Sequence, residues 1–233
     1  MKDNRGIITA VREVVMPLLV YYLVRNLIQI LGFTYLESMK ENLQFSLLKA
    51  EAYLLLRGVL LVAVLLITTL CIFPYYQYEK SFLSKRQFSK KEAVLLPLGA
   101  AVLAIGINYL WSLIPLFTRN QAYQQVAKSQ YSYPLWLGLI LYVLAAPLVE
   151  EVMFRGIIYN IFCRNSGPVW GVILSAFLFG AFHGNIVQAS YGMIMGILMA
   201  CLYEKYHDLR APLLFHSGAN GAVYLLQHLM ERF

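Results

Sequence analysis

Residues 135–155 read LWLGLILYVLAAPLVEEVMFR. An apolar stretch from Leu135 to Val149 runs into two adjacent carboxylates, Glu150 and Glu151, and Arg155 follows the second by four positions. A carboxylate in a membrane-crossing helix costs roughly +2.5 to +3.5 kcal/mol on insertion scales. A chain keeps two of them there when they face a protein-lined cavity and act in it. The reading of this stretch as a membrane helix with a charged motif past its middle decides the fold class and points to the chemistry.

The rest of the chain agrees. It has 233 residues, 60% hydrophobic and only 13% charged, which is too apolar for an ordinary soluble domain. Apolar runs recur over Val14–Phe33, Tyr53–Phe73, Ala93–Phe117, Pro134–Phe162, Pro168–His183, Ala189–Tyr203 and Pro212–Met230. A crossing needs about 20 residues. The expected fold is all-α, a polytopic transmembrane helical bundle of about seven to eight segments. The chain reads as a single membrane domain over 1–233. Residues 1–118 read as three N-terminal helices without a motif, and 134–230 as the core that carries the polar motifs. The fifth and sixth runs are short for a crossing. No internal repeat or flexible linker is evident.

The net charge of +7 is not a nucleic-acid signal, because the basic residues fall in short loops between apolar runs. With the N-terminus cytoplasmic, inside loops hold Lys2, Arg5, Arg12, Lys80, Lys85, Arg86, Lys90, Lys91, Arg164, Lys205 and Arg210. Outside loops hold Lys40, Lys49, Arg119, Lys128 and Arg232. Eleven against five favours that orientation for an integral, multi-pass protein. The three cysteines, Cys71, Cys163 and Cys201, have no disulfide or metal spacing. Arg25 and Arg57 lie within apolar runs, where snorkelling or a partner charge accounts for them.

Three constellations carry polar chemistry. On a helix Glu151 and Arg155 stand one turn apart in the favourable acid-then-base order. Glu150 has Phe154 at the corresponding position and no local cation, which suits a general base. A structural ion pair is the plainer alternative. Phe179-Gly180-Ala181-Phe182-His183 ends the fifth run with an imidazole able to bind metal, orient water or share a proton. Taken alone, it reads more readily as an interface histidine bonded to backbone. His216-Ser217-Gly218-Ala219-Asn220 places His216 and Asn220 on one helical face, able to donate to an oxyanion, to ligate a metal or to make a polar interhelical contact. Gly218 and Gly221, and the Gly192/Gly196 spacing, read as close helix packing. If every run crossed fully, His183 and His216 would lie at opposite faces. An uncharged turn over Gly184 to Gln188 that stops within the membrane removes the conflict, since non-helical backbone is tolerated there when it lines a cavity.

Taken together, Glu-Glu-x-x-x-Arg, Phe-x-x-x-His and His-x-x-x-Asn, each on its own apolar run and in that order, resemble the CPBP family, the CAAX-processing and bacteriocin-processing (Abi) intramembrane proteases. The resemblance covers about Trp136 to Leu226. It implies an intramembrane endopeptidase in which Glu150 is the catalytic base and His183 holds or activates water. His216 and Asn220 stabilise the oxyanion or assist in binding, with Glu151, Arg155 and Phe179 in support. The implied partners are a peptide or protein substrate, lipidated or not, and membrane lipids, with no nucleic acid. Water is expected to enter from the cytoplasmic side. Glu150, His183 and His216 are the candidate ligands should the site hold zinc. The absence of a His-Glu-x-x-His helix favours a metal-free glutamate mechanism. The alternatives are a non-catalytic membrane scaffold or bacteriocin-immunity protein with the same fold, and a small transporter, for which no repeat is evident.

Overall fold

A computed structural model describes residues 5–41, 47–80 and 88–230. The described residues are helical and contain no strand. The helices are α1 (Arg5–Glu41), α2 (Leu47–Lys80), α3 (Lys90–Ser112), α4 (Pro115–Thr118), α5 (Gln121–Tyr131), α6 (Leu135–Ser166), α7 (Pro168–Ala181), α8 (Ile186–Tyr206) and α9 (Arg210–Met230). Five of these (most of α1 and α2, with α3, α6 and α8) are long and apolar enough to cross a membrane. α7 is apolar but shorter. Of the basic residues counted for orientation, Lys2, Lys85, Arg86 and Arg232 lie outside the described residues.

Alternating helix direction gives the bundle two distinct ends. At the N-terminal end, Arg164 on α6 pairs with Glu13 on α1 at 2.9 Å and with Glu79 on α2 at 3.0 Å, and Tyr206 on α8 donates to Glu92 on α3. Glu92 and Ser89 also form a reciprocal capping box that starts α3. At the far end, Trp111 Nε1 donates to Ser190 Oγ at 3.1 Å, and the rings of Tyr131 and Tyr224 lie 5.3 Å apart. Ionic contacts hold one end of the bundle together, and aromatic and hydroxyl contacts hold the other.

Three boundaries differ from the sequence reading. The third helix stops at Ser112, short of Phe117, because Pro115 cannot continue it. The interval between the two expected regions is not a plain loop but carries α5, capped by the Asn120 side chain. The sixth run is not short: α8 has 21 residues, starting at the Asn185 cap and ending where His207 takes a left-handed conformation. Only α7 is short. Its 14 residues rise about 21 Å at about 1.5 Å each, against about 30 Å of hydrocarbon. A helix that starts at the N-terminal end and stops there leaves its terminal residues within the depth of the bundle.

The core is centred on α6, whose residues from Val152 to Tyr159 are buried all round. α9 lies along α3, and α7 and α8 form a close hairpin. Glycine makes both approaches possible. A Cβ on Gly218 would sit 2.4 Å from the Pro97 carbonyl oxygen, and one on Gly180 would sit 2.6 Å from that of Ala189.

Candidate active site

Pro147 shapes the helix that carries the two glutamates. It has no N–H, so one carbonyl in the preceding turn is left without a helical donor. Over Leu139–Ala145 the chain relaxes into a π-helical turn, in which Ala146 donates to the Leu141 carbonyl five residues back. In that register the Tyr142 carbonyl falls to Pro147, which cannot donate. Asn220 Nδ2 takes it instead, at 2.9 Å across the helix interface. A second π-helical stretch, Val152–Tyr159, follows the glutamates. The α-helical turn Ala146–Glu151 is thus framed by wide turns on both sides, a pattern frequent at functional sites.

Glu151 and Arg155 pair at 2.9 Å, as their spacing predicts, with side chains 1% and 0% exposed. The same Glu151 oxygen lies 2.7 Å from His216 Nδ1. An ionised carboxylate only accepts, so Nδ1 carries a proton and donates. Arg155 also donates to the Gly196 carbonyl at 3.2 Å, and its guanidinium covers the Phe179 ring at 4.4 Å. The pair is therefore more than a local helix contact. It fixes the imidazole of α9 and braces α8. Gly196, read from sequence as a packing residue alone, also supplies a carbonyl to this network.

The other face of His216 looks into a cavity of about 340 Å³ that Glu150, Phe179, His183 and Asn220 also line. His216 Nε2 lies 3.7 Å from Glu150 Oε2. His183 Nδ1 lies 2.8 Å from the Phe179 carbonyl. A carbonyl oxygen only accepts, so Nδ1 donates and neutral His183 keeps an acceptor lone pair on Nε2. Phe179 makes edge contacts with both imidazoles, at 4.9 Å to His183 and 5.6 Å to His216. The two histidines thus share a site because α7 ends early. Glu151 and Arg155 stand behind the cavity rather than on its wall. The bland readings are also visible: His183 does bond to backbone, and Asn220 does make an interhelical contact.

Zinc needs three protein ligands. Among the described residues no group of three His, Cys, Asp or Glu side chains is arranged to hold a metal ion. Glu150, His183 and His216 share a cavity but do not converge as a ligand set.

The cavity lies toward the far end of the bundle. Its walls include Trp111 at the end of α3, Tyr131 at the end of α5, Val187 at the start of α8 and Gln227 at the end of α9. The motifs also missed part of the wall. Tyr21 and Arg25 of α1 line the cavity, with Arg25 Nη1 donating to the Tyr21 hydroxyl at 2.8 Å. Arg25 is thus turned into the site, not snorkelling to an interface. Its spacing of four from Tyr21 within an apolar run was the available signal. Arg57 instead covers the Phe33 ring at 4.6 Å.

Comparison with known proteins agrees with this class of site. Residues 132–222 match the family model described as type II CAAX prenyl endopeptidase Rce1-like, so the resemblance carried by the three motifs holds over that segment. With the long apolar helices, this makes the chain an integral, multi-pass membrane protein. The chain is 29% identical over 99 residues to "UPF0177 protein YbdI" of Lactococcus lactis subsp. lactis (strain IL1403), covering 42% of this chain and 52% of that protein. It is 22% identical over 143 residues to "Putative membrane peptidase YdiL" of Bacillus subtilis (strain 168), covering 53% of this chain and 58% of that protein. The chain spans about half the length of these curated relatives. No solved structure matches it.

Proposed function

We propose that this protein is an intramembrane endopeptidase of the CAAX-protease type, hydrolysing a peptide bond of a membrane-associated peptide or protein with a water activated by Glu150 and His183. The observation that carries this reading is the convergence of Glu150, His183, His216 and Asn220, from two helices and the end of a third, on one cavity.

In this mechanism water sits between the Glu150 carboxylate and His183 Nε2. Glu150 takes its proton as the oxygen attacks the scissile carbonyl. The tetrahedral oxyanion is met by His216 in its protonated form, whose Nε2–H points into the cavity while Glu151 holds Nδ1–H. The second N–H of Asn220, the first being spent on the Tyr142 carbonyl, also faces it. Glu150 then returns the proton to the leaving amine as the C–N bond breaks. Arg155 compensates the Glu151 charge, and the pair keeps His216 oriented.

The basic residues set the sidedness of this reading. Arg12, Lys80, Lys90, Lys91, Arg164, Lys205 and Arg210 cluster at the N-terminal end, whereas Arg119 and Lys128 lie at the far end. A cytoplasmic N-terminus follows from that bias. With that orientation the end of the bundle nearer the cavity faces the extracytoplasmic side, and the reading takes water and substrate from there.

The test is cleavage by purified protein in proteoliposomes. Glu150→Gln and His183→Ala are each expected to abolish hydrolysis while the protein remains folded and inserted. Undiminished cleavage by either variant overturns the assignment. A Glu150→Gln protein that still protects cells fully from a bacteriocin favours a non-catalytic immunity role.

A further inference from the structure

Among the described residues that line the cavity, Arg25 is the one permanent cation and Glu150 the one carboxylate. Arg25 sits midway along α1, outside the segment that matches the protease family. A guanidinium at membrane depth is costly and is normally paired. Arg155 meets that requirement with Glu151, but no carboxylate of the described residues lies within ion-pair distance of Arg25. Its guanidinium instead donates to the Tyr21 hydroxyl at 2.8 Å, with the Tyr21 ring 5.8 Å from the guanidinium carbon. Tyr21 is itself buried and locked against the rings of Phe154 and Phe182, at 6.4 and 5.9 Å. The guanidinium therefore spends one of its five N–H groups on the Tyr21 hydroxyl, and no other acceptor among the described residues is hydrogen-bonded to it.

We propose that Arg25 is a substrate-binding residue that takes a carboxylate of the peptide, either its free C-terminus or an Asp or Glu side chain near the scissile bond. This inference rests on the endopeptidase reading and deepens it. The planar fork of a guanidinium matches a carboxylate with two parallel hydrogen bonds, which a lysine does not reproduce. A substrate anion entering the cavity also meets repulsion from Glu150, and Arg25 offsets it. The preorganisation by Tyr21 lowers the entropy lost when the salt bridge forms. Because Arg25 and Glu150 share one cavity, the carboxylate lies within a few residues of the bond that is cut.

The probe is a mixed-sequence library of short, internally quenched peptides made with a C-terminal carboxylate or carboxamide. Each form is prepared with Asp and Glu present or replaced by Asn and Gln. Cleavage is measured with the wild-type protein, Arg25→Gln and Arg25→Lys, and binding is measured by fluorescence polarisation on Glu150→Gln. One carboxylate source is expected to raise kcat/KM roughly ten- to hundredfold over its amide, through KM. Discrimination by the terminus alone identifies the C-terminal carboxylate, and discrimination by composition alone identifies a side chain. Arg25→Gln erases the preference, and Arg25→Lys restores part of it. Equal cleavage of acid and amide forms by the wild type overturns the proposal and leaves the protease reading intact. A uniform fall in kcat for all peptides in Arg25→Gln, with the preference kept, also overturns it and makes Arg25 a charge partner of Glu150. Acid-selective binding without any cleavage keeps the anion site and removes the protease reading.

Discussion

Glu151 is the residue on which stability and chemistry are expected to separate most clearly. In Glu151→Gln the shape is kept and the charge removed. One oxygen of Glu151 receives Arg155 at 2.9 Å and His216 at 2.7 Å, and the other is buried without a partner. The Gln amide N–H₂ must take one of these places, beside a donor or in an empty pocket. Either leaves buried groups unsatisfied at about 1–3 kcal/mol. The larger effect is on Arg155, fully buried and stripped of its counter-charge. Breaking one half of a buried pair costs about 3–5 kcal/mol. For a chain of this length that corresponds to a fall in Tm of roughly 6–20 °C, read by tryptophan fluorescence in detergent micelles. The double variant Glu151→Gln/Arg155→Met removes the orphaned cation and recovers most of this loss, because replacing both members of a buried pair by neutral groups is often nearly neutral. Activity does not recover with it. His216 has then exchanged a charge-assisted bond for one about half as strong, and the rate stays about tenfold or more below wild type. A double variant as unstable as the single, or one with full activity, refutes the view that Glu151 balances Arg155 and positions His216.

Three further outcomes follow from the same geometry. Pro147→Ala supplies the missing N–H, offers the Tyr142 carbonyl a donor within α6 and releases Asn220. We expect folding to be retained and kcat to fall at least about tenfold with little change in KM, toward the 10²–10³-fold loss typical of a missing oxyanion donor. Gly218→Ala drives a methyl group against the backbone of Pro97, 2.4–2.5 Å away, and should destabilise by about 1–3 kcal/mol, measured as a lowered Tm. In a background with Cys71, Cys163 and Cys201 replaced by alanine, a cysteine at exposed Gln125 on α5 should react with an impermeant maleimide added to intact cells, and one at exposed Lys91 only after lysis. The reverse pattern places the cavity mouth on the cytoplasmic side.

The apolar runs of this chain define a helical membrane bundle without help from tertiary structure, because backbone groups in hydrocarbon must be satisfied within each helix. Local spacing is equally direct. Glu151 and Arg155 are four residues apart and pair, and His216 and Asn220 share a face by the same arithmetic. Residue type and spacing along a helix therefore name Glu150, His183, His216 and Asn220 as the polar set. They do not say what each one touches. That Glu151 reaches across to His216, that the Tyr142 carbonyl claims Asn220, and that Arg25 of the first helix enters the cavity that Glu150, His183 and His216 line are properties of helix packing. The early end of α7, which brings His183 level with His216, is likewise visible only once both ends of the bundle are located. A side chain's neighbours along its own helix are a matter of sequence distance. Its partners across an interface depend on the rotation, depth and register of whole helices, and here the packing of glycine faces and the displaced register around Pro147 decide those.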